Sequence, residues 1–449
     1  MSGRSVGHPL VQARLLRRLS QEKLAALIRA AGKRRGINVA TTKKTVSAWE
    51  SGREPDKVTR ELIAEVFEVD AEACAALPWP LWLPAPDLSE LHHPWTAAGT
   101  VAVLADVLRS GRMDRRRFVV LTGITLTTLL HRWLTTEPDI AHAVVGDGRR
   151  VSPGMVDRID ARIAGLQRDD DTHGGGDLIF EGEAYLSLVT RLLGHGACTD
   201  RQRARLHGQA ADLSRMCGWM AYDNGHHAAA QRYFAAALRA AHASGDVLLG
   251  ANVLAFAAAQ TYSVGNPADA DAMVRTAQSA VRGRSTPVVD AMLCARRARA
   301  LAKAGDARGC YRALNRATDL LGKGRRDDDP PWAYWVEQAE IDMLTGSSLL
   351  DLGRPAEAQK WFRAADAAYG PQYVRTHTLY LSRIATAQLQ QHDLDAACDS
   401  AIQALDLLGD INSARSTDQV RDLAKQLAPH RDTPPVRDFL DRARTLVSA

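Results

Sequence analysis

Leu24, Leu27 and Ile28 recur at the spacing that puts apolar side chains on one stripe of a helix. Ser20 precedes that stripe and suits an N-cap, because its hydroxyl accepts from a backbone N–H that has no partner inside the helix. Upstream, Leu10, Ala13 and Leu16 share a face over residues 9–18, and Pro9 fits a first helical turn. A third helix is predicted to start at Thr41 or Thr42 and to run to Ser51. Its Val46 and Trp49 lie three apart and face a core, so Lys43, Lys44 and Ser47 fall on the outer face. Gly52 stands where a helix stop favours a left-handed residue. A fourth helix, Thr59 to Phe67, closes a small bundle with Leu62, Ile63, Val66 and Phe67. Between the second and third helices, Arg29 to Ala40 reads as a basic loop marked by Gly32 and Gly36 and carrying Lys33-Arg34-Arg35.

The pattern breaks at residues 77–95, where five prolines and three tryptophans exclude a single regular element. The tryptophans imply that this linker packs onto a neighbour. His92-His93 has no third ligand at a metal-binding spacing and reads as a solvated or packed loop. Residues 115–134 place three arginines before an apolar stretch, and the Arg-Arg pair within them resembles a twin-arginine export signal. Here the stretch is internal, and Phe118 to Leu130 is 13 residues with four threonines and a glycine. A bilayer span needs about 20 apolar residues, so a buried helix is predicted instead. Helical hairpins are expected from about residue 157. Asp169 to Gly176 interrupts them, and we read it as a flexible connector in preference to a metal loop.

Beyond residue 205 a repeat emerges. Turn signals stand at Asn224-Gly225, Gly265-Asn266, Gly305-Asp306, Gly353-Arg354 and His392-Asp393, spaced 40, 40, 48 and 39 residues apart. After each comes a small-large-small helix: Ala230-Phe234-Ala237, Ala270-Val274-Ala277, Cys310-Leu314-Ala317, Ala358-Phe362-Ala365 and Ala397-Ala401-Ala404. Upstream of each, a close-packing position holds Gly218, Ala258, Ala298, Gly346 or Ala385. This resembles the tetratricopeptide motif, with longer loops such as Gly322–Pro331. The expected fold is all-α: an N-terminal helix-turn-helix bundle over residues 1–75, a linker with connecting helices over 76–150, and a tetratricopeptide-like α-solenoid over 151–449. The clearest repeats cover 205–408, and 411–449 forms a cap.

Composition adds constraints. Aromatics are 6% of the 449 residues, which favours helices packed through small side chains over β-sandwiches. The six cysteines include no C-x-x-C pair and read as small buried hydrophobes. Residues 1–70 hold fourteen Lys/Arg against eight Asp/Glu, so a basic head precedes a near-neutral body. That is the electrostatic footprint of a phosphate-binding module. The first 30 residues are charged throughout, so no signal peptide is expected, and the chain is placed in the cytoplasm, at the nucleoid. No Walker, H-E-x-x-H or G-x-S-x-G motif occurs, so neither an enzyme nor a cofactor is expected.

Leu19-Ser20-Gln21-Glu22-x-Leu24-Ala25 followed by Thr45-Val46-Ser47-x-Trp49-Glu50-x-Gly52-Arg53-x-Pro55 resembles the repressor-type helix-turn-helix (XRE) family, which includes phage repressors. The resemblance covers residues 9–70. It implies a phosphate and base-edge role for Gln21, groove entry for Thr42, Lys43, Lys44 and Ser47, and a backbone contact for Arg53. Lys33, Arg34 and Arg35 depart from the family's short turn. Either the second helix is extended or this segment bulges toward the DNA backbone. The whole chain is similar to actinobacterial regulators that repress sporulation and antibiotic production, more than to peptide-sensing quorum regulators. The resemblance implies a homodimer on double-stranded DNA, repressing development or secondary metabolism. The repeat groove then takes a peptide, a small-molecule effector or a protein partner. Counting from the motif, it is lined by Trp219, Tyr222, Asn252, Tyr262, Arg299 and Ser382. The competing reading is a DNA-tethered interaction scaffold.

Overall fold

The computed structural model describes residues 9–17, 19–51, 53–67, 69, 74, 79–80, 82–83, 93–110, 123–137, 150–368, 374–408 and 413–447. Regular structure among them is helical, with a single isolated bridge between Arg150 and Ala197. The chain forms two compact units, Met1–His92 with Arg116–Thr128, and His93–Arg115 with Leu129–Ala449.

In the first unit four helices share one core: α1 (Pro9–Leu16), α2 (Gln21–Arg34), α3 (Lys43–Glu50) and α4 (Lys57–Phe67). Ser20 caps α2 by accepting from the Lys23 N–H, and Thr42 caps α3 in a reciprocal pair with Thr45. Leu24, Ile28, Val46, Trp49, Leu62, Ile63 and Phe67 fill the centre. Trp79, Trp82 and Leu83 join that core, so part of the proline-rich segment is structural. Leu27, expected on the buried stripe, is exposed. Gly32 is not in a loop: α2 runs through it, and the helix is the extended one of the two alternatives. The Ile37 N–H returns to the Gly32 carbonyl at 2.8 Å while Gly36 takes φ +69°. A Cβ on Gly32 would sit 2.7 Å from the Ile37 oxygen, so this reversal requires glycine there. Gly52 lies outside the described residues.

The second unit opens with α5 (Ala97–Ser110), and the part of α6 (Gly123–Thr135) that belongs to it buries Leu129, Leu130 and Trp133. The Arg-Arg segment ahead of α6 lies outside the described residues. His92 does too, whereas His93 bonds Asp106 through Nε2 at 2.9 Å and accepts on its carbonyl from the buried Arg239. That guanidinium also stacks 4.9 Å from the Trp95 ring. Seven helical hairpins follow: α7 (Pro153–His173) with α8 (Leu178–His195), α9 (Asp200–Asp223) with α10 (His227–Ser244), α11 (Val247–Val264) with α12 (Pro267–Ala280), α13 (Pro287–Lys303) with α14 (Ala307–Leu321), α15 (Gln338–Asp351) with α16 (Pro355–Ala368), α17 (Val374–Gln390) with α18 (Leu394–Leu408), and α19 (Ala414–Leu427) with α20 (Pro434–Val447). They stack as a tetratricopeptide-like solenoid.

The stacking rule is size complementarity. Buried positions sixteen residues apart pair a first helix with its second: Gly218 and Phe234, Ala258 and Val274, Ala298 and Leu314, Gly346 and Phe362, Ala385 and Ala401. Glycine occurs where the partner is phenylalanine. A Cβ on Gly346 would meet the Phe362 ring at 2.7 Å, and one on Gly218 the Phe234 ring at 2.9 Å. Small residues thus let helix axes approach while large ones fill the gap. At the fifth turn His392 takes φ +61°, the left-handed position that glycine holds at the first, third and fourth turns. Helix α11 is long and apolar enough to cross a membrane, but 78% of it is buried inside the solenoid.

Asp169 to Gly176 is not a flexible connector. Its first five residues end α7, and Asp170 pairs with Arg375 of α17 at 3.2 Å. Tyr334 donates to Asp171 at 2.6 Å, and a Cβ on Gly175 would strike Met220. Arg375 also faces the fully buried Asp223 at 3.9 Å, and Arg415 of α19 reaches Asp223 at 2.9 Å. The solenoid therefore closes on itself, with α7 against α17 and α9 against α19. Burial alone would favour a neutral Arg375, but Asp170 and Asp223 outweigh it and hold the guanidinium charged. Among the described residues no cluster of His, Cys, Asp or Glu is arranged to hold a metal.

His207 on α9 is almost fully buried. Burial first, then the Arg203 charge, pushes its imidazole down to about 4 from an ordinary 6.5. Below pH 6.5 the unfolded chain takes up a proton that the folded chain refuses. Stability is therefore full above about pH 6.5 and falls as the pH drops toward 4. Burial lowers His227 and His242 as well, in the same sense. Urea denaturation at pH 7 and pH 5 is expected to show a loss that His207→Leu reduces; an identical loss in the variant would place the sensitivity elsewhere.

Candidate functional site

The first helices of successive hairpins enclose a cavity of about 570 Å³ in the second unit, a size suited to one small molecule. Arg215, Trp219 and Tyr222 enter from α9, Phe256 and Tyr262 from α11, Arg296, Arg299 and Lys303 from α13, Arg375 and Arg383 from α17, and Arg415 from α19. Trp335, in the stretch between α14 and α15, completes an aromatic row. Ring centroids step from Tyr222 to Trp219 at 5.4 Å, to Phe256 at 5.0 Å and to Trp335 at 5.5 Å. Guanidinium groups lie over these rings: Arg415 is 4.8 Å from Trp219, Arg215 4.5 Å from Phe256, and Arg296 5.2 Å from Trp335. Such contacts favour cations that are partly withdrawn from water.

At one end of the wall Asp351 accepts from Arg299 at 2.7 Å and pairs with Lys303 at 3.0 Å. Burial would raise this carboxyl, but Arg299, Lys303 and Arg383 together hold it below its ordinary value. Asp171, also on the cavity wall, is pushed up by burial, which the Tyr334 hydroxyl only partly offsets.

Of the predicted groove residues, Trp219, Tyr222, Tyr262 and Arg299 stand on the wall. Asn252 and Ser382 do not. Asn252 is fully enclosed in α11, which is buried nearly all round, and the Ser382 hydroxyl turns to the Thr378 carbonyl at 2.8 Å. The residue after Ser382, Arg383, reaches the cavity instead. Counting missed Arg215, Phe256, Arg296, Trp335, Arg375, Arg383 and Arg415. The available signal was an arginine on an otherwise small or apolar first helix, which needs a carboxylate or a ligand to be there at all.

In the first unit, Val46 and Trp49 of α3 are buried while Lys43, Lys44 and Ser47 are exposed on the opposite side. Thr42 spends its hydroxyl on capping. The Gln21 amide is tied inward to Glu50, which also takes Arg14 at 2.6 Å. That pairing fixes the start of α2 to the end of α3, a positioning arrangement not foreseen when Gln21 was assigned to DNA alone. Lys43 approaches Glu22 at 3.6 Å as an exposed pair of little strength, and Lys44 has no ion pair among the described residues. Arg34 and Arg35 turn to Glu65 of α4 at 2.9 and 2.7 Å, in keeping with the extended second helix and not with the alternative of a bulge toward the DNA backbone. Lys33 and Arg53 are exposed.

Comparison with known proteins finds that the family described as SP15 N-terminal domain matches residues 13–72, the stretch that contains α2 to α4. No curated protein matches the chain. Among solved structures, a crystal structure from Pyrococcus horikoshii of a Signal Transduction ATPase with Numerous Domains (STAND) protein with a tetratricopeptide repeat sensor is similar over 95% of this chain and 68% of that one. Identity is 12% and the TM-score 0.35. That likeness is too loose to carry an argument, and the fold assignment rests on the hairpins themselves.

Proposed function

We propose that the chain is a sequence-specific DNA-binding transcription regulator of the repressor-type helix-turn-helix class, whose solenoid cavity takes an effector. The observation that carries this reading is the two-sidedness of α3. Val46 and Trp49 anchor it in the core, while Lys43, Lys44 and Ser47 project outward as a recognition helix presents its first turns to the major groove. Lysine can donate to guanine O6/N7 and serine to either base type. Lys33 and Arg53 add positive charge for the phosphate backbone. A homodimer on two half-sites follows from the usual geometry of such domains. The resemblance of the whole chain points to repression of development or secondary-metabolism genes.

Genome-wide binding-site selection with the wild type beside Lys43→Ala/Lys44→Ala/Ser47→Ala tests this. A palindromic motif that is lost in the variant is expected, with affinity for it down about 10- to 100-fold. No enriched motif, or one untouched by the variant, would instead favour a DNA-tethered scaffold that binds a protein partner in its groove.

A further inference from the structure

Six cations on the cavity wall have a carboxylate partner. Arg215 has Asp212, Arg296 has Glu340, Arg299 and Lys303 share Asp351, Arg375 has Asp170, and Arg415 has Asp223. Arg383 is different. It stands half-buried on the same wall and makes no hydrogen bond or ion pair among the described residues. Its electrostatic surroundings are Arg299, Asp351, Tyr262 and Tyr222, so three cations gather about one carboxylate. Burial and the neighbouring Arg299 push the Arg383 guanidinium down to about 10, which leaves it charged at neutral pH but poorly accommodated by its surroundings. A half-buried cation whose nearby carboxylate is already paired with Arg299 and Lys303 is under-compensated, so its place on a cavity wall is explained by a ligand that supplies the missing anion.

The rest of the ligand is set by the neighbouring wall. Tyr222 shares the cavity wall with Arg383 and begins the aromatic row that continues through Trp219 and Phe256 to Trp335. Rings stepped about 5 Å apart accept a flat unsaturated body edge to face. An extended peptide is less well served. Asn252 is fully buried and is not on the cavity wall, and the Ser382 hydroxyl is spent on the Thr378 carbonyl, so neither is offered to a peptide backbone.

We propose that Arg383, with Arg299 and Lys303, receives the anionic head of a small aromatic acid whose ring system lies along Tyr222, Trp219 and Phe256. This deepens the effector reading above and rests on it for its biological consequence only. The carboxylate, phosphate or sulfonate identity of the head is left to the ligand, since all three present oxygens to a guanidinium in the same way.

The experiment titrates the full chain with two dyes, 8-anilinonaphthalene-1-sulfonate and N-phenyl-1-naphthylamine, which carry the same rings with and without the anion. Fluorescence transfer from tryptophan reports occupancy. The wild type is expected to bind one sulfonate dye per chain at least about ten-fold more tightly than the neutral dye, the scale of one or two charge-assisted hydrogen bonds. Arg383→Met should erase that preference while leaving Tm unchanged or raised, because no internal partner is lost. Arg383→Lys should keep most of the preference. Equal affinity for the two dyes in the wild type, or a preference that survives in Arg383→Met, would overturn the proposal. Dye binding that depends on Arg383 yet never alters DNA affinity would leave this site standing and remove the effector reading.

Discussion

Replacing Arg375 by methionine is expected to destabilise the second unit by about 3–5 kcal/mol, because it strands buried carboxylates whose countercharge it supplies. Asp170 loses the guanidinium at 3.2 Å, and the fully buried Asp223 is left with Arg415 alone. The damage should be topological as well as energetic. Repeat arrays hold together by neighbour contacts, and this pairing joins segments 205 residues apart in sequence. With it gone, the hairpins can persist while the closure between α7 and α17 opens. Urea denaturation should show a lower midpoint and a split transition, and small-angle scattering a larger radius at neutral pH. Adding Asp170→Leu should recover much of the loss, since a buried ion pair exchanged for apolar side chains is often close to neutral. A single variant within about 1 kcal/mol of wild type would mean that closure rests on other contacts.

The second large effect is expected at Phe362, which is completely buried against Gly346. Phe362→Ala removes a ring from the seam between α15 and α16 and should cost about 3–5 kcal/mol. The size rule makes a sharper prediction for the pair. Gly346→Val alone forces a side chain into the ring and should cost about 1–3 kcal/mol. In the Phe362→Ala background the same valine fills vacated space and should recover part of the loss. Additive costs in a double-mutant cycle would contradict the complementarity.

That complementarity was legible in the sequence, because both partners lie within one hairpin at a constant offset of sixteen residues. The turns were legible for the same local reason: Gly225, Gly305 and Gly353 adopt positive φ where the pattern put them. The closure was not. Asp170 meets Arg375 and Asp171 meets Tyr334 across 205 and 163 residues, and no local signal marks an aspartate run as buried when its partners are that distant. The same limit explains the swap of Ser382 for Arg383. One residue is about 100° on a helix, and motif counting gives the inward stripe without the superhelical twist that decides which flank reaches the cavity. In the first unit the faces of α3 followed directly from the Val46 and Trp49 spacing. The inward turn of Arg34 and Arg35 depended on Glu65, which belongs to a different helix.

The most direct test of the central claim compares affinities for the selected sequence and for a scrambled duplex of the same length and base content, at fixed salt. A regulator that reads bases through α3 should prefer the selected duplex by about 10³-fold or more. The Lys43→Ala/Lys44→Ala/Ser47→Ala variant should lose most of that ratio while keeping weak, salt-sensitive binding to both. A wild-type ratio near one, or a ratio that the variant leaves unchanged, would contradict the account.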